Sequence, residues 1–173
     1  MHRSLVLRWV ASFVLIVAVL ASGSLRASAD TSDEERAAEL KLLRLINDAR
    51  ETKGLKPLRE HADIRAEAEA HSERMANQQT LSHIGFDART ARIAAEDSGI
   101  DPDQICENVG SAGAAKMSRA MKGVLRAWKG SKEQADCLFD ALGYRTRSGA
   151  VGVVFAERTW WVTFIAASDD TRR

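Results

Sequence analysis

Apolar residues recur along this chain with two different periods, and the change from one to the other falls near its end. Leu40, Leu43 and Ile46 repeat at helical spacing behind Ser32-Asp33-Glu34-Glu35. That tetrad reads as a capping box with Ser32 as N-cap, and Gly54 is a good stop for the helix. Leu55-Lys56-Pro57-Leu58 is expected to be extended, because the residue before a proline avoids the helical region. A second helix is predicted over residues 63–79, with Ile64, Ala68, His71 and Met75 on its apolar side. A shorter one over 87–96 is ended by Gly99 and Pro102. Residues 104–109 read as a short strand entering a loop at Gly110–Gly113. A further helix over about 116–128 carries the stripe Met117, Met121, Val124 and Trp128. Ser131 and Gln134 suggest a second capping box, opening a helix through Phe139.

The period then drops to two. Residues 150–156 and 159–166 are rich in Val, Phe, Trp and Ile, with polar Glu157-Arg158 between them, which predicts a β-hairpin. Adjacent Trp160 and Trp161 must point to opposite faces, one into the core and the other outward or under a helix. Helices first and strands late, without a βαβ rhythm, indicate an α+β layered domain.

The first residues follow a different logic. Arg3 and Arg8 precede an apolar run from Trp9 to Leu20, and small residues lead to Ala27-Ser28-Ala29. This is the pattern of a secretory signal peptide over residues 1–29, cut before Asp30; the run is short for an uncleaved anchor, so no stable membrane span is expected after cleavage. Residues 30–167 then form one domain, with a polar tail over 168–173. Losing Arg3, Arg8 and Arg26 leaves 22 of the 25 basic residues against 24 acidic ones. No block of like charge stands out along the chain, which argues against nucleic acid as a partner.

Cys106 and Cys137 would both be exported to an oxidising compartment, where an even count favours a disulfide. Two buried free thiols are the alternative; a redox pair is disfavoured because the spacing is far from C-x-x-C.

Several local words occur in a fixed order. They are Leu45-Ile46-Asn47-x-x-Arg50, Gly54-Leu55-x-Pro57-Leu58, Ala70-His71-Ser72-x-x-Met75-Ala76, Leu81-Ser82-His83, Glu107-Asn108-Val109 and Trp128-x-x-Ser131. The hairpin adds Val151-Gly152-Val153-Val154 and Trp160-Trp161-Val162-Thr163-Phe164. Together these resemble the CAP (SCP-like) superfamily of cysteine-rich secretory, antigen 5 and pathogenesis-related proteins, its bacterial branch above all. The resemblance implies an α-β-α sandwich, with a small antiparallel sheet between helices and a C-terminal β-hairpin. It also implies a cleft holding His and Glu side chains. His83 matches the family histidine after the second helix, and Glu107 matches the glutamate of a Gly-Glu-Asn word in which this chain has Cys106 in place of glycine. Gln134 stands where bacterial members carry a second histidine, three residues after the serine matching Ser131.

One imidazole and one carboxylate make a poor zinc site, since structural sites use four ligands and catalytic ones three plus water. His71 lies on an apolar helix side and reads as a hydrogen-bonded core histidine, and His61 as a solvated one. No metal and no cofactor are therefore expected. The expected ligand cleft comprises His83, Glu107, Asn108, Ser131 and Gln134, with His83 and Glu107 the candidates for any catalysis. A His83–Glu107 hydrogen bond would equally serve to fasten the second helix's end to a strand. Asn108 is expected to bridge backbone groups at the turn into Gly110.

Three functions remain open at this level. The first is an exported binding module for a lipid or other small apolar ligand, or for an extracellular or envelope protein. The second is a hydrolase, disfavoured because no nucleophilic Ser or Cys sits beside a base in a recognisable word. The third is an envelope interaction protein whose cleft is vestigial. Export leaves periplasmic and secreted locations open.

Overall fold

The computed structural model describes residues 32–95, 98–113, 116–143 and 145–169. The expected signal peptide and the last four residues of the expected tail lie outside these. The chain divides into two compact units, Met1–Glu34 and Glu35–Arg173. Residues 32–34 of the first are helical. Everything that positions the candidate site belongs to the second.

That unit is α+β. Helix α1 covers residues 35–51. It is followed by β1 (Arg59–Glu60), α2 (Ala62–Gln78), α3 (Phe86–Ile93), β2 (Ile100–Gly113), α4 (Met117–Gly130), α5 (Lys132–Leu138), β3 (Ser148–Ala156) and β4 (Thr159–Asp169). The strand order is β1-β3-β4-β2. The three long strands are antiparallel, and two-residue β1 joins β3 in parallel through Arg59 and Glu60. The β3–β4 hairpin turns at Glu157 and Arg158, whose φ angles of 49° and 60° give the doubly left-handed turn that matches strand twist. Ser168 and Asp169, assigned to the polar tail by sequence, are the last residues of β4.

The sheet separates two helical layers. Leu42, Leu43 and Ile46 of α1, Met121, Val124 and Trp128 of α4, and Leu138 of α5 pack with Val151, Val153, Trp160 and Phe164 on one face. On the other, α2 contributes Ile64, Ala68, Met75 and Ala76, and α3 contributes Ile93. Trp160 belongs to the first face and Trp161 lies under α2 on the second, so neither indole is a surface contact. α2 rides directly on β3. A Cβ on Gly152 would come within 2.1 Å of the Ala68 carbonyl carbon, so only glycine fits there. Ser72 Oγ, one turn further along α2, donates to the Gly152 carbonyl at 2.8 Å.

Some sequence expectations shift. Leu40 is 43% exposed, and the buried stripe of α1 runs instead through Ala38, Leu42, Leu43 and Ile46. Ser32 is already helical, and the Glu35 carboxylate accepts from the Phe155 amide rather than closing a capping box. Glu39, one turn on, accepts from Val153 N, so α1 covers the β3 edge at alternate residues with two carboxylates. The second capping box does not form either. Ser131 is the N-cap of α5 without a side-chain cap bond, and Gln134 Nε2 donates 3.2 Å to the Val109 carbonyl. The expected Gly110–Gly113 loop is strand, paired from Gly110 with Val162 to Gly113 with Thr159. Gly110 is a point of close approach, since a Cβ there would meet Trp128 Nε1 at 3.1 Å and Val124 Cγ1 at 3.2 Å.

Two of the local words turn out to fasten the same segment. Asn47 Oδ1 accepts from Leu58 N at 2.9 Å, and its Nδ2 donates to Leu58 O at 3.0 Å. Arg50, fully buried, donates to the carbonyls of Lys56 (3.0 Å) and Leu138 (2.7 Å) and pairs with Asp140 (3.1 Å). A buried charge is tolerable only when its donors are satisfied in this way.

Candidate functional site

β2 alternates between the two layers. Cys106, Asn108 and Gly110 face α4 and α5, where they meet Cys137, Gln134 and Trp128. Glu107 and Val109 face α2 and α3. The sheet therefore splits the set of site residues expected from sequence. His83 and Glu107 come together on one face. On the other, Asn108 Nδ2 donates 2.9 Å to the Gln134 carbonyl, joining β2 to α5 rather than serving the turn at Gly110. Ser131 Oγ donates to Glu133 Oε2 at 3.1 Å and does not meet the His83–Glu107 pair.

The Glu107 side chain is 1% exposed, and three side chains surround its carboxylate. Oε2 is held by Arg89 of α3, whose Nε lies at 2.7 Å and whose second guanidinium nitrogen lies at 2.5 Å. Arg89 is itself fully buried and also donates to the Ile84 carbonyl at 3.1 Å. Burial pulls its pKa down from the ordinary arginine value, against the pull of Glu107, but an arginine stays charged. Oε1 lies 2.8 Å from His83 Nδ1. A carboxylate can only accept, so Nδ1 carries the proton and Nε2 is left outward, on a ring that is 57% exposed.

His71 completes the group. It is buried, and its Nε2 donates to the Ser82 carbonyl at 2.7 Å while lying 4.0 Å from Glu107 Oε1. Burial holds its pKa below the usual histidine range, which keeps the ring neutral at neutral pH. The Ser82 bond fixes the loop that carries His83, so His71 acts as the hydrogen-bonded core histidine its helix position implies. A cleft of about 320 Å³ adjoins it, lined by His71, Arg74, Met75, Ser82, Ile84 and Arg92 among others. Ile84 is 86% exposed at its rim.

Sequence reasoning missed Arg89, although a signal was present. Arg89 sits three residues after Phe86 and four before Ile93, on the face of α3 that turns inward, and a cation on an inward face requires a buried anion. Cys106 and Cys137 are joined by a disulfide, with Cα atoms 5.7 Å apart, which ties β2 to α5 one residue from Glu107. Among the described residues no group of three or more His, Cys, Asp or Glu side chains is placed to hold a metal ion. None of the described helices is long and apolar enough to cross a membrane.

This arrangement can present one oriented imidazole to solvent beside a partly apolar cleft. Its neighbours make Glu107 an anchored carboxylate rather than an open ligand position.

Comparison with known proteins agrees with the fold. The family model described as "CAP: Cysteine-rich secretory protein family" matches residues 43–160. No curated protein sequence matches. Among solved structures, an outer surface protein from Borrelia burgdorferi superposes with a TM-score of 0.62 at 16% identity, over 80% of this chain and 95% of that one. A cysteine-rich secretory protein from Staphylococcus aureus gives 0.56 at 17% identity, over 78% of this chain and 39% of its own. An extracellular protein containing an SCP domain from Bacillus anthracis gives 0.59 at 18% identity, over 78% and 41%. The chain thus spans about two fifths of the last two.

Proposed function

The chain belongs to the CAP, or cysteine-rich secretory protein, family, and from that premise we propose that it is an exported recognition module whose contact residue is His83. The observation that carries this reading is the contrast within one hydrogen bond. The Glu107 side chain is 1% exposed and locked by Arg89, while the His83 side chain it orients is 57% exposed. A purely structural histidine would be buried with its partner, as His71 is. An outward Nε2 can accept from a ligand hydroxyl or amide, and when protonated it can donate to an anion. The neighbouring cleft, with Met75 and Ile84 among its lining, suits a small ligand with an apolar part. Export rests on the signal-peptide pattern of residues 1–29, and it accords with the secretory, extracellular and outer-surface descriptions of the structural neighbours.

Native mass spectrometry of the protein purified after export tests this reading. A retained adduct that is lost in His83→Ala supports it. A bare mass for the wild-type protein, unchanged by incubation with membrane lipid extract, favours an envelope protein acting through other surfaces.

A hydrolase reading has one observation in its favour, the carboxylate-oriented imidazole, which is the base-and-orienter half of a catalytic group. The hydroxyl of adjacent Ser82 is engaged with the Ile84 amide at 3.0 Å. Hydrolysis of peptide or ester substrates by the wild-type protein, abolished in His83→Ala, would establish that reading instead.

A further inference from the structure

The turn between α2 and α3, residues 81–85, is held more firmly than a surface loop requires, because buried side chains reach out to its backbone. His71 Nε2 donates to the Ser82 carbonyl at 2.7 Å, and Arg89 donates to the carbonyls of His83 and Ile84 at 3.5 and 3.1 Å. The Ile84 amide donates to Ser82 Oγ at 3.0 Å, and Phe86 N to the His83 carbonyl at 3.1 Å. Glu107 fixes the His83 ring. The side chains carried by this frame nevertheless face solvent. Leu81 is 47% and Ile84 86% exposed, and among the described residues Leu40 and Leu142 are the other large apolar side chains left exposed. Single exposed apolar residues are ordinary. Two that flank an oriented, exposed histidine on a fixed backbone form a contact surface prepared in advance.

The cleft beside this turn indicates the charge of an occupant. Arg74 of α2 and Arg92 of α3 line it together with Gln78, and no Asp or Glu does. Arg92 is engaged by both carboxylate oxygens of Glu67, at 2.6 and 2.7 Å. Among the described residues, the Arg74 side chain makes no ion pair or hydrogen bond. One free guanidinium matches one carboxylate, whereas a nucleic acid or a cluster of phosphates would need several cations. Ile84 stands on the rim and Leu81 outside the cleft, so both suit side chains laid across the surface rather than an enclosed acyl chain. An extended peptide supplies such side chains, and it adds amides for His83 Nε2 and Gln78.

We propose that the Leu81–Ile84 turn and Arg74 form a docking site for an acidic peptide segment of a partner protein. Apolar side chains of the segment pack on Leu81 and Ile84, its carboxylate pairs with Arg74, and one of its amides donates to His83 Nε2. The proposal rests on the reading of His83 as a contact residue and names the chemistry of what it contacts. Because the backbone of the turn is already ordered, docking gives up little further conformational freedom.

Panning random dodecapeptides displayed on phage against the protein purified after export tests it, followed by fluorescence anisotropy with one synthesised peptide. The selected sequences should carry Asp or Glu next to an apolar residue. Ile84→Ser should weaken binding of that peptide about tenfold, and Arg74→Gln about fivefold. Replacing the peptide's acid by its amide should have the same effect as Arg74→Gln, and the two changes together should lose no more than either alone. Leu142→Ser, an equal apolar loss in the turn after α5, should keep wild-type affinity. None of the three substituted side chains is buried, and unchanged melting temperatures confirm that the variants fold. The proposal is overturned if no acidic peptide is selected, if Ile84→Ser binds like wild type, or if Leu142→Ser loses as much. A failed selection with a His83-dependent adduct still present would overturn the docking site and leave the reading of His83 standing. Peptide binding that survives His83→Ala but not Ile84→Ser would keep the docking site and remove His83 from it. Dimerisation abolished by Ile84→Ser, with no peptide selected, would put a second copy of the chain there and overturn the proposal.

Discussion

Arg89 and Glu107, 18 residues apart in sequence, form a buried ion pair in which the guanidinium is 0% and the carboxylate 1% exposed. Each neutralises a charge the core would otherwise reject, and the hydrogen bonds from Arg89 fix the carboxylate that orients His83. Removing one partner strands the other, which typically costs about 3–5 kcal/mol. Glu107→Ala should therefore lower the melting temperature by roughly 10 °C. The double variant Arg89→Met/Glu107→Leu should lose less than either single change, because no orphan charge remains. His83→Ala removes only the exposed arm of the cluster and should shift stability by less than about 1 kcal/mol. It is thus the variant that separates recognition from folding, and thermal unfolding of wild type, Glu107→Ala, His83→Ala, the double variant and its two single changes checks the set.

Gly152 is the position where α2 meets the sheet with no room between backbones. Gly152→Ala forces a Cβ against Ala68 and Glu69, neither of which can move without shifting the whole helix. The expected loss is about 3 kcal/mol or more, the upper end for overpacking, read as a lower urea midpoint. A midpoint within experimental error of wild type would show that α2 rides higher on β3 than described.

Glu39 is buried against β3, and burial pushes its pKa up to about 7 from an ordinary 4.5, against the hydrogen bond from Arg36. The folded chain then holds a proton that the unfolded chain releases. Its favourable contribution is fully present below 4.5 and declines as pH rises to about 7, where it levels off. Glu39→Gln keeps an acceptor for Val153 N without the ionisation. The variant should gain on wild type as pH rises through this window, by on the order of 2 kcal/mol between its ends. Denaturant unfolding at acidic and mildly alkaline pH checks it; a pH-independent difference would refute the ionisation.

The Cys106–Cys137 bond closes a separation of 31 residues between β2 and α5. Cys106→Ser/Cys137→Ser should cost about 3–4 kcal/mol through the freer unfolded chain. Wild-type protein in reductant should fall to the same level. Because Cys106 precedes Glu107, loosening at this edge should also broaden the His83 ring resonances in an NMR spectrum.

The sequence made some features plain for a local reason. The hairpin at Glu157-Arg158, the apolar sides of α2 and α4, the extended turn before Leu58 and the inward His71 all follow from spacing within one element. The glycine-bearing run after Asn108 misled, because glycine there answers to Trp128 packing from α4 and not to a turn. Both expected capping boxes failed for a related reason. Glu35 and Gln134 found partners on strands distant in sequence, which outweighed the local cap.

What the chain determined by itself was the family, the layered class, the cysteines and the identity of His83 and Glu107 as the pair to watch. Periodicity fixes which face of an element is apolar, and it does so without knowing what that face will meet. The tertiary structure decided the meetings: Arg89 beneath Glu107, Asn108 and Gln134 on the far side of the sheet, and Arg74 of α2 in one cleft with Ile84. Each of these depends on which layer an element joins. That choice is made by packing the whole core at once, because buried charges and backbone amides must all find partners in the same arrangement.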